Sequence, residues 1–177
     1  MILINRYGIK IGSAFTHCQR YCSSARKTYR EKRLLGYSKE QLYNIVSRVD
    51  DYHLFLPACT KSVVTHREPN LIKADLVIGF PPMIVEKYTS HVDLDRPNLV
   101  RARCFDGRLF KHLITEWKFS DGKPGNPRSC TLDFFIDFEF RNHFYSRVAH
   151  SIFDQLVHQT VNCFLKRAKD LYGKPSI

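Results

Sequence analysis

Residues 130–172 read CTLDFFIDFEFRNHFYSRVAHSIFDQLVHQTVNCFLKRAKDLY, and the hydrophobic period changes once within this stretch. From 130 to 140 apolar residues occupy every second position, apart from the additional Phe135, which is typical of a strand with one buried face. From 144 to 172 they recur at steps of three and four, which predicts one amphipathic helix about 40 Å long. Gly173 stands where a C-terminal cap belongs. A strand followed by one long helix is the pattern that decides the fold.

The residues upstream predict further strands and two short helical segments. A strand over 28–37 is followed by Ser38 and Gln41, the spacing of a capping box, so a short helix begins there. A second helical turn over 50–55 ends before Pro57. Five turns then separate six strands, and these turns lie at 68–70, 79–82, 95–98, 106–107 and 121–127.

This order of elements predicts an α+β domain in which about seven antiparallel strands form a curved sheet around the long C-terminal helix. A helix laid across a curved sheet can leave a tunnel beneath it or fill the space with side chains. The pattern of the sequence does not choose between these two arrangements.

The composition is that of a globular protein with a basic amino-terminal segment. The 177 residues are 44% hydrophobic and carry a net charge of +11, which excludes disordered and fibrous proteins and suits one domain. Residues 1–30 hold six of the 28 basic residues and no acidic residue. This pattern is typical of a mitochondrial transit peptide, with a disordered basic arm as the alternative. We expect a transit-peptide-like segment at 1–26, one folded domain at 27–173 and a tail at 174–177.

The residues that could carry catalysis favour a binding protein over an enzyme. Asp133, Asp137 and Glu139 lie on the polar face of the 130–140 strand, so they are expected on a solvated surface rather than in a catalytic pair. The histidines of the last helix recur at steps of seven and eight, a spacing that does not build a metal site. The six cysteines are not spaced as a framework, and reduced thiols are expected. We therefore expect no catalytic residue, no metal and no membrane span, since a span needs roughly 18 apolar residues.

Several short motifs, taken in chain order, resemble the coenzyme Q-binding proteins of mitochondria, a branch of the START-like superfamily that also includes polyketide cyclase-like proteins. The motifs are LLGYS at 34–38, VIGFPP at 77–82, FDGRLF at 105–110, RSCTLDF at 128–134, FEFR at 138–141 and the final helix. Each motif alone is weak, but together and in this order they are specific and extend over residues 27–173.

The resemblance implies a START-like helix-grip fold with a cavity for ubiquinone and related prenylquinone lipids. It also implies a non-enzymatic lipid carrier or chaperone that supports respiratory electron transport and ubiquinone biosynthesis. The implied location is peripheral, on the matrix side of the inner mitochondrial membrane, with ubiquinone as ligand and no cofactor. A long isoprenoid tail outruns a domain whose radius of gyration is about 15 Å. The distal tail is therefore expected to fold back, protrude or be shared with another copy, which leaves a homo-oligomer open.

A prenylated quinone is mostly apolar, so its site should be a cavity with few polar groups. For its lining we select apolar residues of the strands and the last helix, with ordinary core packing as the alternative at each: Leu76, Ile78, Phe134, Ile136, Phe138, Ile152, Phe153, Leu156 and Val157. For the membrane-docking mouth we select a loop stiffened by two prolines, with a rigid turn as the alternative: Phe80, Pro81, Pro82 and Met83. Tyr88, His112 and Trp117 are candidates for contact with the quinone ring.

Two functions of other classes stay open at this point. A cyclase-like enzyme could use the same cavity, but it needs a titratable residue that points inward, and the strand alternation supplies few. A ribosome- or RNA-binding module is suggested by the basic charge and by a resemblance to a bacterial ribosome-association toxin. Because more than half of the basic excess lies in residues 1–30, we disfavour nucleic acid as the partner.

Overall fold

A computed structural model describes residues 26–80, 84–105, 108, 110–141 and 143–177, with the backbone alone at 80, 84 and 143–156. The strands in this part of the chain are β1 (Arg26–Leu35), β2 (Cys59–Glu68), β3 (Leu71–Phe80), β4 (Ile84–Asp95), β5 (Leu99–Cys104), β6 (Phe110–Asp121) and β7 (Cys130–Phe140). The helices are α1 (Lys39–Ser47), α2 (Tyr52–Phe55), which follows a 3-10 turn at Val49–Asp51, and α3 (His143–Tyr172). The predicted segments at 1–25, 81–83 and 106–107 lie outside the described residues.

All seven strands form one antiparallel sheet in the order β1-β7-β6-β5-β4-β3-β2. Strands β2 to β7 pair with their neighbours in sequence, and β1 joins the sheet beside β7, with Leu35 opposite Cys130. The sheet curves around α3, so the predicted α+β architecture, with seven strands and a long C-terminal helix, is confirmed.

The first strand begins and ends two residues earlier than predicted. The chain bends after Leu35 because Tyr37 turns into the core, where its hydroxyl donates to the carbonyl oxygen of Gly173 at 3.0 Å. The strand prediction missed this bend because the residues at 34–37 are all apolar or small.

Local signals in the sequence set the ends of α1 and α3. The hydroxyl of Ser38 accepts from the backbone N–H of Gln41 at 3.2 Å, and the Gln41 side chain accepts from the N–H of Ser38 at 2.9 Å. This is the predicted capping box, which satisfies two backbone donors at the start of α1. At the end of α3, Gly173 adopts a φ of 81° and donates to the carbonyl of Lys169, a conformation that favours glycine.

The C-terminal half of α3 packs tightly against α1, α2 and one end of the sheet. Phe164 contacts Trp117 at a ring-centroid distance of 4.6 Å and Phe55 at 5.0 Å. The void among the side chains at this end is about 10 Å³, roughly one water molecule. Val161 and Ala168 are fully buried here, so this end is a filled hydrophobic core.

The face of the sheet away from α3 carries ion pairs, whose arginine side chains stay exposed to solvent. Arg30 makes a bidentate pair with Asp133, with its shorter contact at 2.6 Å, and Arg26 makes the same kind of pair with Asp137. The prediction that these carboxylates point away from the apolar face is correct, but the expected solvation of Asp137 is wrong, because that residue is only 4% exposed. The long side chain of Arg26 on β1 and the ring of His112 on β6 contact its carboxylate and shield it from water.

The last four residues are joined to the domain. The backbone N–H of Ser176 donates to the carbonyl of Gly36 at 2.9 Å, and the Ser176 hydroxyl donates to the carbonyl of Arg128. A Cβ at position 36 would lie 2.6 Å from the Ser176 nitrogen, so glycine at 36 permits this close approach. In the part of the chain that the structure describes, none of the helices has an apolar stretch long enough to cross a membrane.

Candidate ligand-binding site

A cavity of about 620 Å³ lies between the concave face of the sheet and α3, beside the packed core. Strands β3 to β7 form its floor, the segment from α1 to the start of β2 forms one wall, and residues 157–164 of α3 contribute the roof. Its volume falls in the range of roughly 300–1,000 Å³ that is usual for small-molecule sites. Of the two arrangements left open by the sequence, the structure contains the hollow one.

Small side chains at the centre of the sheet create this hollow. Ala102 on β5 lies opposite Val92 on β4 and opposite Thr115 on β6, and Ser90 and Cys104 also line the floor. Large residues surround this centre and hold α3 away from it, among them Tyr52, Tyr88, Phe110, Trp117, Phe134 and Phe138. The small side chains at the centre of the sheet do not reach α3, and the larger ones around them keep the helix at a distance. A cavity therefore remains between the sheet and α3.

Six of the nine predicted lining residues lie on the wall of the cavity: Leu76, Ile78, Phe134, Ile136, Phe138 and Val157. The side chains of the other three, Ile152, Phe153 and Leu156, belong to the part of α3 described by backbone alone. Contact between these nine residues and a ligand stays a prediction.

The predicted mouth falls largely outside the described residues. Phe80 is the last residue of β3 and pairs with Ile84 at the start of β4, but the side chains of both are undescribed. Pro81, Pro82 and Met83, which join the two strands, lie outside the described part of the chain. Next to this connection, Val85 is 62% exposed. Apolar surface is thus present at this end of the hairpin.

Of the three candidates for contact with a ring, two line the cavity and one does not. Tyr88 and Trp117 lie on its wall. The choice of His112 was wrong, because its Nε2 lies 3.1 Å from an oxygen of Asp137 on the opposite face of the sheet. Alternation along β6 from the cavity-lining Trp117 places His112 on the outer face. The bulge between Phe110 and His112 brings Phe110, rather than His112, to the cavity.

Sequence reasoning missed the wall supplied by α2 and the small residues of the floor. Tyr52, Leu56 and Cys59 line the cavity although the helical turn at 50–55 carries no periodic signal. Ser90, Ala102 and Thr115 are each unremarkable in the sequence. Only the strand register brings them together, and register is not visible in any one strand.

The hydroxyl and thiol groups that line the cavity are neutral. Burial raises the pKa of the Tyr52 and Tyr88 hydroxyls far above the usual range of tyrosine, and it also raises the pKa of the Cys59 and Cys163 thiols. The hydroxyl of Tyr52 donates to the carbonyl of Val46 at 2.5 Å. These groups stay protonated at neutral pH, so the lining offers hydrogen-bond donors without charge.

The one arginine among the described lining residues is held by a carboxylate. An Nη2 nitrogen of Arg103 lies 2.7 Å from an oxygen of Asp93. No cluster of three potential metal ligands occurs among the residues that the structure describes. The arrangement can therefore enclose an apolar molecule and offer its polar atoms a small number of hydroxyl groups.

Residues 35–165 match the sequence profile of the family described as polyketide cyclase / dehydrase and lipid transport. The chain belongs to this family. The match extends from the last residue of β1 into α3, so the polyketide cyclase and lipid transport family profile includes the whole cavity.

Curated members of this family are similar to the chain over most of its length. It is 43% identical over 154 residues to the mitochondrial coenzyme Q-binding protein COQ10 homolog B of Xenopus laevis, covering 87% of this chain and 63% of that protein. It is 44% identical over 149 residues to the mitochondrial coenzyme Q-binding protein COQ10 of Drosophila melanogaster, covering 84% of this chain and 61% of that protein. The chain thus spans somewhat more than 60% of the length of these two relatives.

A bacterial relative is named for association with the ribosome rather than for binding of coenzyme Q. The ribosome association toxin RatA of Escherichia coli is 32% identical over 140 residues, which is 79% of this chain and 85% of the toxin. Among solved structures, the Zhui aromatase/cyclase of a Streptomyces species has a TM-score of 0.68 at 14% identity, covering 81% of this chain and 94% of that one. At this identity the likeness supports the family fold alone.

Proposed function

We propose that this chain is a non-enzymatic ubiquinone-binding protein that carries the lipid for mitochondrial respiration and ubiquinone biosynthesis. The observation that carries the proposal is the apolar cavity of about 620 Å³ under α3. The names of the Xenopus laevis and Drosophila melanogaster relatives support ubiquinone as the occupant.

The lining suits a prenylated quinone, whose ring carries a few oxygens and whose tail is hydrocarbon. Aromatic residues such as Phe110, Trp117 and Phe134 offer flat apolar surface to a ring, and each buried methylene of a tail adds about 0.8 kcal/mol relative to water. The cavity is too small for a ring together with a long tail. We propose that the ring and the proximal isoprenes are enclosed, while the distal tail folds back, protrudes or is shared with a second copy.

A bilayer is as apolar as this cavity, so a carrier gains no ligand by hydrophobicity alone. Transfer is fastest when the tail passes directly from membrane to cavity, without crossing water. We therefore propose a peripheral location at the inner mitochondrial membrane, on its matrix side. Two observations support this location. The relatives are named as mitochondrial proteins, and Val85 beside the β3–β4 connection is exposed.

The chemistry of the lining supports binding rather than catalysis. The phenols of Tyr52 and Tyr88 and the thiol of Cys59 have raised pKa values because they are buried, whereas a nucleophilic thiol requires a lowered one. The carboxylates of Asp133 and Asp137 lie on the other face of the sheet and pair with arginines.

The similarity to a ribosome association toxin makes an RNA- or ribosome-binding function the second candidate. Phosphate binding requires cations that are available to the nucleic acid. On the outer face of the sheet, Arg30 pairs with Asp133 and Arg101 pairs with Glu116, which lowers the attraction of that face for phosphates. RNA binding would weaken steeply with added salt, whereas retention of a quinone would not.

Extraction of the purified chain with organic solvent, followed by identification of any quinone by mass spectrometry, tests the proposal. We expect a prenylated quinone to accompany the protein and added ubiquinone to bind when the protein is lipid-free. Affinity should rise with the first isoprene units and then level off. A lipid-free protein that also refuses added ubiquinone would refute the function, and a steady rise out to the longest tail would refute the partial enclosure.

A further inference from the structure

Two neighbouring hydroxyl groups on β4 point into the cavity. Tyr88 and Ser90 both line it, and they are two residues apart on one strand, so their side chains lie on the same face about 7 Å apart along the chain. Tyr88 pairs with Leu76, and Ser90 pairs with Ala74, on the adjacent strand. The two hydroxyls are thus set in an otherwise apolar part of the floor.

Neither hydroxyl makes a hydrogen bond to the residues that the structure describes, and neither oxygen is fully enclosed by protein atoms, since both side chains line the cavity. The other two buried serines differ: Ser62 donates to the carbonyl of Asp50 at 2.9 Å, and Ser129 donates to the carbonyl of Asn126 at 2.8 Å. Ser90 is as deeply buried as these, at 4% exposure. A hydroxyl that faces a cavity and makes no hydrogen bond to the protein can donate to, and accept from, a molecule in that cavity, so this pair offers polar contacts to a ligand.

The ring of Tyr88 is held in place by its neighbours. Phe110 meets it edge to face, with ring centroids 5.8 Å apart and an interplanar angle of 88°. The hydroxyl is therefore presented to the cavity in a defined position. Because burial raises the pKa of Tyr88, the group stays protonated and can act as a donor.

We infer that Tyr88 and Ser90 bind the ring end of the ligand, with the Tyr88 hydroxyl donating to a ring carbonyl oxygen of ubiquinone. This inference rests on the proposed function and deepens it. The ring carbonyls are strong acceptors, while an isoprenoid tail has no acceptor at all. The two hydroxyls thus select a quinone against other apolar lipids, and the aromatic walls supply affinity without that selectivity.

The experiment compares ubiquinone with an isoprenoid hydrocarbon of the same tail length, using the fluorescence of Trp117 to follow both. Trp117 is the one tryptophan of the chain and lies on the cavity wall. Tyr88→Phe should weaken ubiquinone binding by about tenfold, equivalent to about 1.4 kcal/mol, and leave hydrocarbon binding within about twofold. Ser90→Ala should weaken ubiquinone by about threefold, as expected for a weaker neutral hydrogen bond.

Tyr43→Phe is the matched control, because Tyr43 is a buried tyrosine that does not line the cavity; its affinity for both ligands should equal that of the unmodified protein. In the lipid-free state, Tyr88→Phe should unfold at nearly the same temperature as the unmodified protein, because the hydroxyl that it removes makes no hydrogen bond to the described residues. In difference infrared spectra, one carbonyl stretch of bound ubiquinone should lie at lower frequency than in the free lipid, and Tyr88→Phe should abolish this shift.

Failure of the inference and failure of the proposed function give different results. If the unmodified protein binds no ubiquinone, the proposed function is wrong and the inference is wrong with it. If it binds ubiquinone and both variants bind equally well, the function stands and the role of the hydroxyls is refuted. An equal loss of ubiquinone and hydrocarbon in Tyr88→Phe would also refute that role, since it would report altered packing.

Discussion

Replacing Ala102 with phenylalanine should close the cavity without unfolding the protein. Ala102 lies at the centre of the floor, between Val92 and Thr115 on the adjacent strands. In a filled core, such an enlargement costs about 1–3 kcal/mol of stability. Here the added ring enters a cavity of about 620 Å³. Burying a phenylalanine side chain is worth about 1.5–3 kcal/mol.

The conformational entropy that the new side chain loses on burial offsets part of that gain, so we expect a net stabilisation of about 1 kcal/mol. For a protein of this size, that change raises the unfolding temperature by about 2–4 °C. The same ring occupies the space of a quinone ring, so ubiquinone affinity should fall by about tenfold or more.

Ala168→Phe is the matched control, since Ala168 is 0% exposed and lies in the packed half of α3. This variant should lose about 1–3 kcal/mol. Thermal unfolding of the lipid-free proteins and quenching of Trp117 by added ubiquinone measure the two effects. The reasoning is refuted if Ala102→Phe is destabilised as much as Ala168→Phe, or if it binds ubiquinone as tightly as the unmodified protein.

Two further predictions concern the β3–β4 connection and the outer face of the sheet. Phe80→Asp should reduce co-sedimentation with liposomes of inner-membrane composition without lowering the unfolding temperature. The control Leu171→Asp, at an exposed position of α3, should co-sediment like the unmodified protein. Equal co-sedimentation of the two variants would exclude docking through this loop. The hydrogen bonds from Arg26 and His112 lower the pKa of Asp137, so its stabilising effect is present above the unfolded pKa of about 3.9 and is lost as the pH falls through the lower folded value. Asp137→Asn should therefore cost about 2 kcal/mol in urea unfolding at pH 7. The cost should be smaller at pH 3, below the unfolded pKa, and parallel pH profiles of the two proteins would contradict this.

The strands and helices could be predicted because their signals are local. The alternation from Cys130 to Phe140 and the three- and four-residue steps of α3 each describe one element and its buried face. The capping box of Ser38 and Gln41 and the positive φ of Gly173 act within one helical turn. Where a contact between distant residues bends the chain, as Tyr37 does by reaching Gly173, the predicted boundary was displaced.

The outer face illustrates the same limit. The alternation of β7 correctly placed Asp137 away from the helix, but its burial depends on Arg26, which is 111 residues away in sequence. His112 was chosen as a cavity residue, although alternation from the cavity-lining Trp117 places it on the outer face, where it lies beside Asp137. The face that a residue occupies can be predicted from the alternation within its own strand. The residues that cover it on that face come from other parts of the chain and cannot be predicted in this way.

The amino-acid sequence by itself therefore determined the order of elements, the apolar face of each and the family to which the chain belongs. Only the tertiary structure decided that the space under α3 is hollow. A hollow exists where small residues of several strands lie side by side, as Ser90, Ala102 and Thr115 do, and where large residues around them hold the helix away. Periodicity is a property of one segment, whereas an unfilled volume depends on the register between strands and on the sum of side-chain volumes across them.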